Sequence, residues 1–409
     1  MARGVIKQIF IDHWDDFTKK YGKNIRESVF HEVKKMMQCG SLENGFLEFK
    51  CDTCGETKKV GFTCKSRLCS SCGKIRIDDW VEDLVKRMAR THHRHVIFTI
   101  PEELRTIFQK HRKLLALLPK CAAEVVKSWY LDKNKKEKFV PGIVAVIHTF
   151  GRDLKWNPHV HMLLTEGGMG EITAWKNVNF LPYEMLRKRW QKLLLDAIES
   201  ELGKTKFRYL KNKLYNKLKD GFYVYGKNEV KDAKGAAKYI GRYTGRPAIA
   251  ESRIIKYDGE KVTFFYERHE DNKRIEVELD VFEFIKKVII HIPEKQFKMI
   301  RYYGIYARNN KHKDKFFKLV NEKIAIELKK LRKWEYRLLK AFGIDPLKCE
   351  KCGSTMHLDG IYYNKSGNLI EKYKRNLADK IKRKVEELSE INTAVKGLSP
   401  LGMGALFLE

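Results

Sequence analysis

The chain has 409 residues, enough for two or three domains of ~150 residues each around a sizeable buried core. Lys and Arg number 83 against 52 Asp and Glu, a formal charge of +31 that excludes a simple solvent-only role and points to a polyanion, nucleic acid or an anionic membrane. No run of about 20 apolar residues could cross a bilayer, and the start, Met1-Ala2-Arg3-Gly4-Val5, has no apolar signal region. The nine cysteines are therefore expected in a reducing cytoplasm, where they read as metal ligands rather than disulfides.

Phe10, Trp14, Phe17 and Tyr21 recur at spacings of three and four, which predicts a helix with one apolar face. Ile25 to Met37 continues in the same style, and residues 1–50 as a whole read as helical. Cys51-Asp52-Thr53-Cys54 and Cys69-Ser70-Ser71-Cys72 follow, two Cys-x-x-Cys knuckles with zinc-ribbon spacing. Each knuckle converges two thiolates, so the four are expected to hold one structural zinc. Gly55 and Gly73 stand where a knuckle turn needs positive φ. Cys39, Cys64 and His31 form a second site, extend the first, or are buried thiols and an ordinary histidine. Lys65 and Arg67 would sit beside the metal, in reach of phosphate.

Residues 76–92 predict an amphipathic helix with Trp80, Leu84 and Met88 on one face. His95–Ile100 reads as a strand stopped by Pro101, and 102–130 as helix, with Cys121 a core thiol. Gly142–Phe150 is the next strand, and a short turn at Gly151-Arg152-Asp153 leads into Asn157-Pro158-His159-Val160-His161. In a strand, alternate residues share a face, so His159 and His161 point one way and Val160 the other. Two imidazoles on one rigid strand can share a divalent metal; they can also be plain edge-strand histidines. An antiparallel hairpin with 142–150 would bring His148 to the same metal as a third ligand or a supporting group. Gly167-Gly168 is expected to end the strand.

Residues 183–220 are helical and very basic, with Trp190, Phe207, Tyr209 and Tyr215 interleaved. That is a solvated face or a nucleic-acid surface. Residues 236–247 begin as a short helix carrying Tyr239 and Tyr243 at i and i+4, one face, with Lys238, Arg242 and Arg246 around them. The alternation over 253–280, with Asp258-Gly259 between two runs, predicts a hairpin. Residues 280–300 and 311–342 read as helices, and 371–390 as a charged one. Cys349-Glu350-Lys351-Cys352 is a third knuckle with no evident second pair, either vestigial or completed by a partner.

A tyrosine hydroxyl is a weak nucleophile near its ordinary pKa of ~10, but flanking cations favour the phenolate. A metal on His159 and His161 would polarise a phosphate oxygen. Together they could cut a phosphodiester and hold one end as a phosphotyrosine, whose energy lets a 3′-hydroxyl reverse the step. No Walker sequence is present, so no nucleotide cofactor is expected.

The chain resembles the rolling-circle insertion-sequence transposases of the IS-ninety-one type, in the HUH endonuclease superfamily. The resemblance rests on Cys64–Gly73, His95–Pro101, His148–Gly151 running into Asn157–His161, Tyr239–Tyr243 and Ile300–Gly304. It implies an α+β fold with an antiparallel sheet, the histidine pair on a central strand, and the tyrosines on a facing helix. It also implies that His159 and His161 bind Mg²⁺ or Mn²⁺, that Tyr239 and Tyr243 are nucleophiles, and that structural Zn²⁺ sits in the N-terminal part. The expected segments are 1–92, zinc-binding and DNA-recognising; 93–310, the single-strand endonuclease; and 311–409, a basic helical region. Expected partners are single-stranded DNA at the element's ends, target DNA and host replication or helicase factors, with no membrane, in a bacterial cytoplasm near the nucleoid. Two other readings share the sequence. One is a plasmid or phage rolling-circle replication initiator. The other is a non-catalytic zinc protein that only binds DNA.

Overall fold

A computed structural model describes residues 4–310, 345 and 347–379, apart from 134–135, 231–234, 236, 238–239, 242–246, 269, 364–366, 373 and 377. The chain divides into two compact units, one of Met1–Met37 with Cys64–Asp345, the other of Gln38–Thr63 with Pro346–Glu409. This division cuts across the three consecutive segments expected from the sequence. The fold is α+β, as expected.

In the first unit, strands β3 (His93–Thr99), β4 (Val140–Phe150), β5 (Trp156–Met169), β7 (Val224–Val230) and β11 (Ile300–Gly304) form an antiparallel sheet in the order β11-β4-β5-β3-β7, with β6 (Lys176–Asn177) on β5. β4 reads as almost unbroken apolar sequence because both of its faces are covered, and nine of its eleven residues are buried. One face carries Ile143, Ala145, Val160, Met162, Leu164, Val96 and Phe98. Against it pack the helices α4 (Glu102–Lys110), α5 (Leu117–Lys133), α6 (Tyr183–Leu202) and α7 (Lys204–Lys217) through Phe108, Leu118, Val125, Trp190 and Phe207. Each large apolar side chain removed from water there contributes about 1.5–3 kcal/mol, so this core anchors the sheet.

The opposite face carries Val144, Val146 and Leu163, covered by Ile77, Val81 and Leu84 of α3 (Ser70–Arg87) together with Ala237 and Ile240. The described residues of 235–241 are helical. Gly241 comes so close to α3 that a Cβ there would lie 3.0 Å from the Trp80 ring. Trp80 donates its indole N–H to the Tyr302 hydroxyl at 2.8 Å, joining α3 to the edge strand β11.

Helix α1 (Val5–Tyr21) buries Ile6, Ile9, Phe10, Trp14 and Phe17, the stripe expected from the sequence, and packs on α2 (Glu27–Met37). A second small sheet, β8 (Ile254–Tyr257), β9 (Lys261–Glu267) and β10 (Arg274–Asp280), contains the Asp258-Gly259 turn. Gly259 there has φ +102°, and the Asp258 carboxylate accepts from the backbone N–H groups of Glu260 and Lys261. Asp280 caps α8 (Val281–Ile289) by accepting from the Phe282 N–H at 2.8 Å.

The second unit holds β1 (Phe46–Cys51), β2 (Thr57–Gly61) and β12 (Met356–Tyr362) in the order β12-β1-β2, all antiparallel. Several expectations are corrected here. Residues 46–51 are strand, not helix, and Gly167-Gly168 do not end β5, which runs on to Met169. A Cβ at Gly167 would meet the Trp175 ring at 2.6 Å, so close packing rather than a stop explains that glycine. The 280–300 stretch is helical only to Ile289, and 300–304 is a strand. The Lys-rich 311–342 stretch and residues 381–390 lie outside the described residues.

Candidate metal centre and cysteine clusters

Hairpin register builds the histidine site. β4 and β5 pair so that His148 stands opposite His159 and Val146 opposite His161, which puts all three imidazoles on the face shared with Val144 and Leu163. One nitrogen from each of His148, His159 and His161 lies within 4.8 Å of the others. The Nε2 atoms of His159 and His161 are 3.0 Å apart, and the His148 and His161 ring centres 3.9 Å apart. The expected third residue therefore joins the pair.

Hydrogen bonds aim two of these rings, His159 and His161. His159 Nδ1 lies 2.7 Å from the Asn157 carbonyl oxygen, which only a protonated Nδ1 can satisfy; its Nε2 lone pair is then directed into the cluster. His161 Nδ1 lies 2.8 Å from Nε2 of His95 on β3. With Nδ1 donating to His95, the His161 Nε2 is likewise a bare acceptor. Burial lowers the pKa of His148 and His161 well below the ordinary histidine value, and the neighbouring imidazoles lower them further. Burial also lowers that of His159, against the Asn157 carbonyl, which raises it. The rings are thus neutral at neutral pH, the state a metal ligand requires.

His95 was missed at the sequence level. Its signal was present, since His93-Arg94-His95 repeats the His-x-His spacing on the adjacent strand. Tyr239, Tyr243, Lys238, Arg242 and Arg246 lie outside the described residues. The described residues beside the tyrosines, Ala237 and Ile240, are buried on the sheet face that carries the histidines.

The cysteines overturn the expected zinc grouping. Within the second unit Cys51 and Cys54 join Cys349 and Cys352, with Sγ atoms within 4.8 Å. In the first unit Cys69 and Cys72 meet Cys64 instead, with Cys64 and Cys72 Sγ 3.6 Å apart. The Ser66 N–H donates to Cys64 Sγ at 3.3 Å, and Gly73 N–H to the Cys69 carbonyl at 2.8 Å, which shapes the loop that begins α3. Cys39 is half-buried in the second unit. Cys121 is a core thiol donating to the Leu193 carbonyl.

The basic residues split. Lys65 is exposed with φ +54°, whereas Arg67 is half-buried, and burial with the nearby Arg76 pulls its guanidinium down to about 10. Arg67 therefore belongs to the interior more than to a phosphate surface. Trp190 and Phe207 of the basic helices are core residues, while Tyr209 is 82% exposed; Lys192, Lys211 and Lys217 are ion-paired.

Two family profiles match the chain, one described as a putative transposase over residues 142–313 and one as a transposase zinc-binding domain over residues 9–100. The transposase for insertion sequence element IS801 of Pseudomonas savastanoi pv. phaseolicola is 30% identical over 352 residues, 81% of this chain and 83% of that protein. The chain belongs to the IS91-type transposases. A second relative of this IS91-type transposase is the putative transposase y4qJ of Sinorhizobium fredii, 27% identical over 315 residues, 71% of this chain and 79% of that protein. No solved structure matches it. Its zinc-binding domain fits the cysteine clusters. Among the described residues no helix is long and apolar enough to cross a membrane.

Proposed function

We propose that this transposase cuts and rejoins single-stranded DNA at its element's ends through a 5′-phosphotyrosine, with His148, His159 and His161 as the ligands of a divalent metal. The observation that carries the reading is the convergence of three neutral imidazoles on one sheet face, two of them, His159 and His161, oriented by hydrogen bonds. Ala237 and Ile240, which flank Tyr239 in sequence, pack on that face.

Three imidazole nitrogens fit a divalent ion and leave room for oxygen ligands; nitrogen donors suit a first-row transition ion such as Mn²⁺ better than Mg²⁺. Bound there, the ion would supply Lewis-acid polarisation of a non-bridging phosphate oxygen. The protein's own residues do the rest. The Tyr239 hydroxyl attacks phosphorus, its proton leaving to solvent or a neighbouring base, and the Tyr–O–P bond forms as the P–O3′ bond breaks. Lys238 and Arg242 favour the phenolate. The 3′-hydroxyl so released is the product end, and a later 3′-hydroxyl attacks the phosphotyrosine to rejoin the strands and free the tyrosine. Tyr243 takes the second cleavage, or supports the first by hydrogen bonding. The surplus of cations holds the strand, mostly without regard to sequence. Exposed Lys65 is one such contact.

The test is a suicide substrate: a single-stranded oligonucleotide from an element end, incubated with Mn²⁺ or Mg²⁺. A covalent protein–DNA species is expected from the wild type and none from Tyr239→Phe. A wild type that binds the oligonucleotide and never cleaves it would leave only a DNA-binding role.

A further inference from the structure

The knuckle at Cys349–Cys352 lies beyond both matched family regions, which end at residues 100 and 313. By sequence it has no second pair. In the second unit it faces the knuckle at Cys51–Cys54, and the two turns are built alike. Gly55 N–H donates to the Cys51 carbonyl at 2.9 Å, and Gly353 N–H to the Cys349 carbonyl at 2.9 Å. Cys51 N–H donates to the Glu56 carbonyl at 2.9 Å, and Cys349 N–H to the Ser354 carbonyl at 2.8 Å. Gly55 and Gly353 have φ of +72° and +77°, the left-handed conformation such a turn requires. Two copies of one turn, 295 residues apart from Cys54 to Cys349, point at a single spot.

The spacing at that spot is that of ligands. Cys51 and Cys352 Sγ are 3.5 Å apart, and Cys54 and Cys349 Sγ 3.6 Å. Four thiolates at ~2.3 Å from a central Zn²⁺ in a tetrahedron lie roughly 3.8 Å from one another. A disulfide would need sulfurs at ~2.0 Å. The surroundings join the same two segments: β1 pairs with β12 from Phe46↔Tyr362 to Cys51↔Met356, Phe46 stacks on Tyr362, and Lys58 pairs with Glu350 at 2.6 Å. Among the described residues this unit's sheet is three short strands, a small core that a metal would reinforce.

We infer that Cys51, Cys54, Cys349 and Cys352 bind one zinc ion, in a ribbon whose halves come from opposite ends of the chain. The zinc-binding region of this transposase is therefore not confined to its N-terminal hundred residues. The C-terminal knuckle is a working half of the site, and zinc fastens the C-terminal segment to the β1–β2 hairpin.

The experiment uses the full-length protein, and metal is counted by mass spectrometry after exhaustive removal of loose ions. Cys51→Ser/Cys54→Ser and Cys349→Ser/Cys352→Ser should each lose one zinc per chain relative to wild type. The quadruple variant should lose that same single ion. Cys352→His, which keeps four ligands, should retain it. An unchanged zinc content in Cys349→Ser/Cys352→Ser, or a two-ion loss in the quadruple variant, overturns the inference. Should the double variants not fold, alkylation of the zinc-loaded wild type decides. Cys349 and Cys352 should resist modification and become reactive together with Cys51 and Cys54 as a chelator strips the ion. Ready alkylation of the exposed Cys352 in the loaded protein counts against the site.

Discussion

Replacing His95 by Ala tests how the histidine cluster is oriented. His95 is 2% exposed, and its Nε2 lies 2.8 Å from His161 Nδ1. The substitution removes that acceptor and strands a buried Nδ1–H, at a cost of about 1–3 kcal/mol. It also frees His161 to take the other tautomer, which carries a proton on the nitrogen that must face the metal. Losing the hydrogen-bond partner of a metal-bound histidine ordinarily costs ~10–100-fold in affinity, about 1.4–2.7 kcal/mol. The half-saturating Mn²⁺ concentration for oligonucleotide nicking should therefore rise ~10–100-fold, while the rate at saturating metal recovers most of its wild-type value. His95→Gln, which offers an acceptor oxygen, should sit much closer to wild type. Circular dichroism checks that the fold survives the cavity. An unchanged Mn²⁺ requirement in a folded His95→Ala protein would refute the orienting role.

Other outcomes follow from the same geometry. His159→Ala and His161→Ala should each abolish nicking while leaving filter-bound DNA affinity largely intact, because basic groups supply most of it; wild-type cleavage by the double variant removes the site from the mechanism. Nicking should be better supported by Mn²⁺ than by Mg²⁺, and a strict Mg²⁺ preference argues against an all-imidazole ligand set. Acid should destabilise the first unit: burial lowers His93 from 6.5 to about 4 and His291 to about 3. Both are neutral when folded, and the unfolded chain takes up protons below pH ~6.5, so this stabilisation is complete above that pH and is lost as pH falls toward 4 and 3. From pH 7 to pH 5 each should cost about 2 kcal/mol in urea titrations, and His93→Gln should flatten the pH slope; an unaltered slope means the ring is not held neutral. Tyr243→Phe should still form an adduct at the first end yet fail at complete transposition, scored in a mating-out assay.

Much of the histidine site was legible because it is local. Period-two alternation puts His159 and His161 on one face whatever surrounds them, and a short turn at Gly151 makes β4 the partner of β5, so His148 follows. His95 needed the register of β3 on β5, which depends on which strand lies on the far side. The turns at Cys51–Cys54 and Cys349–Cys352 were equally local, each marked by its Cys-x-x-Cys-Gly pattern, whereas Gly73, expected in such a turn, lies inside α3 without positive φ. Their pairing was not, because thiols 301 residues apart, Cys51 and Cys352, are joined by the β1–β12 ladder rather than by any sequence signal. Nearness in sequence favoured Cys69 and Cys72 as partners of Cys51 and Cys54, and the strand pairing chose otherwise. β11 was missed because five residues, Ile300-Arg301-Tyr302-Tyr303-Gly304, are half-buried at a sheet edge and show no clean alternation.

The central claim is that Tyr239 takes the DNA covalently with the help of a metal held by the histidine cluster. Wild-type protein trapped on an element-end oligonucleotide with Mn²⁺, digested and sequenced by mass spectrometry, tests it most directly. The account predicts a 5′-phosphotyrosine on Tyr239, absent when His159 and His161 are both Ala. An adduct only on Tyr243 would reverse the order of the two tyrosines, and cleavage with no tyrosine adduct at all would contradict the mechanism.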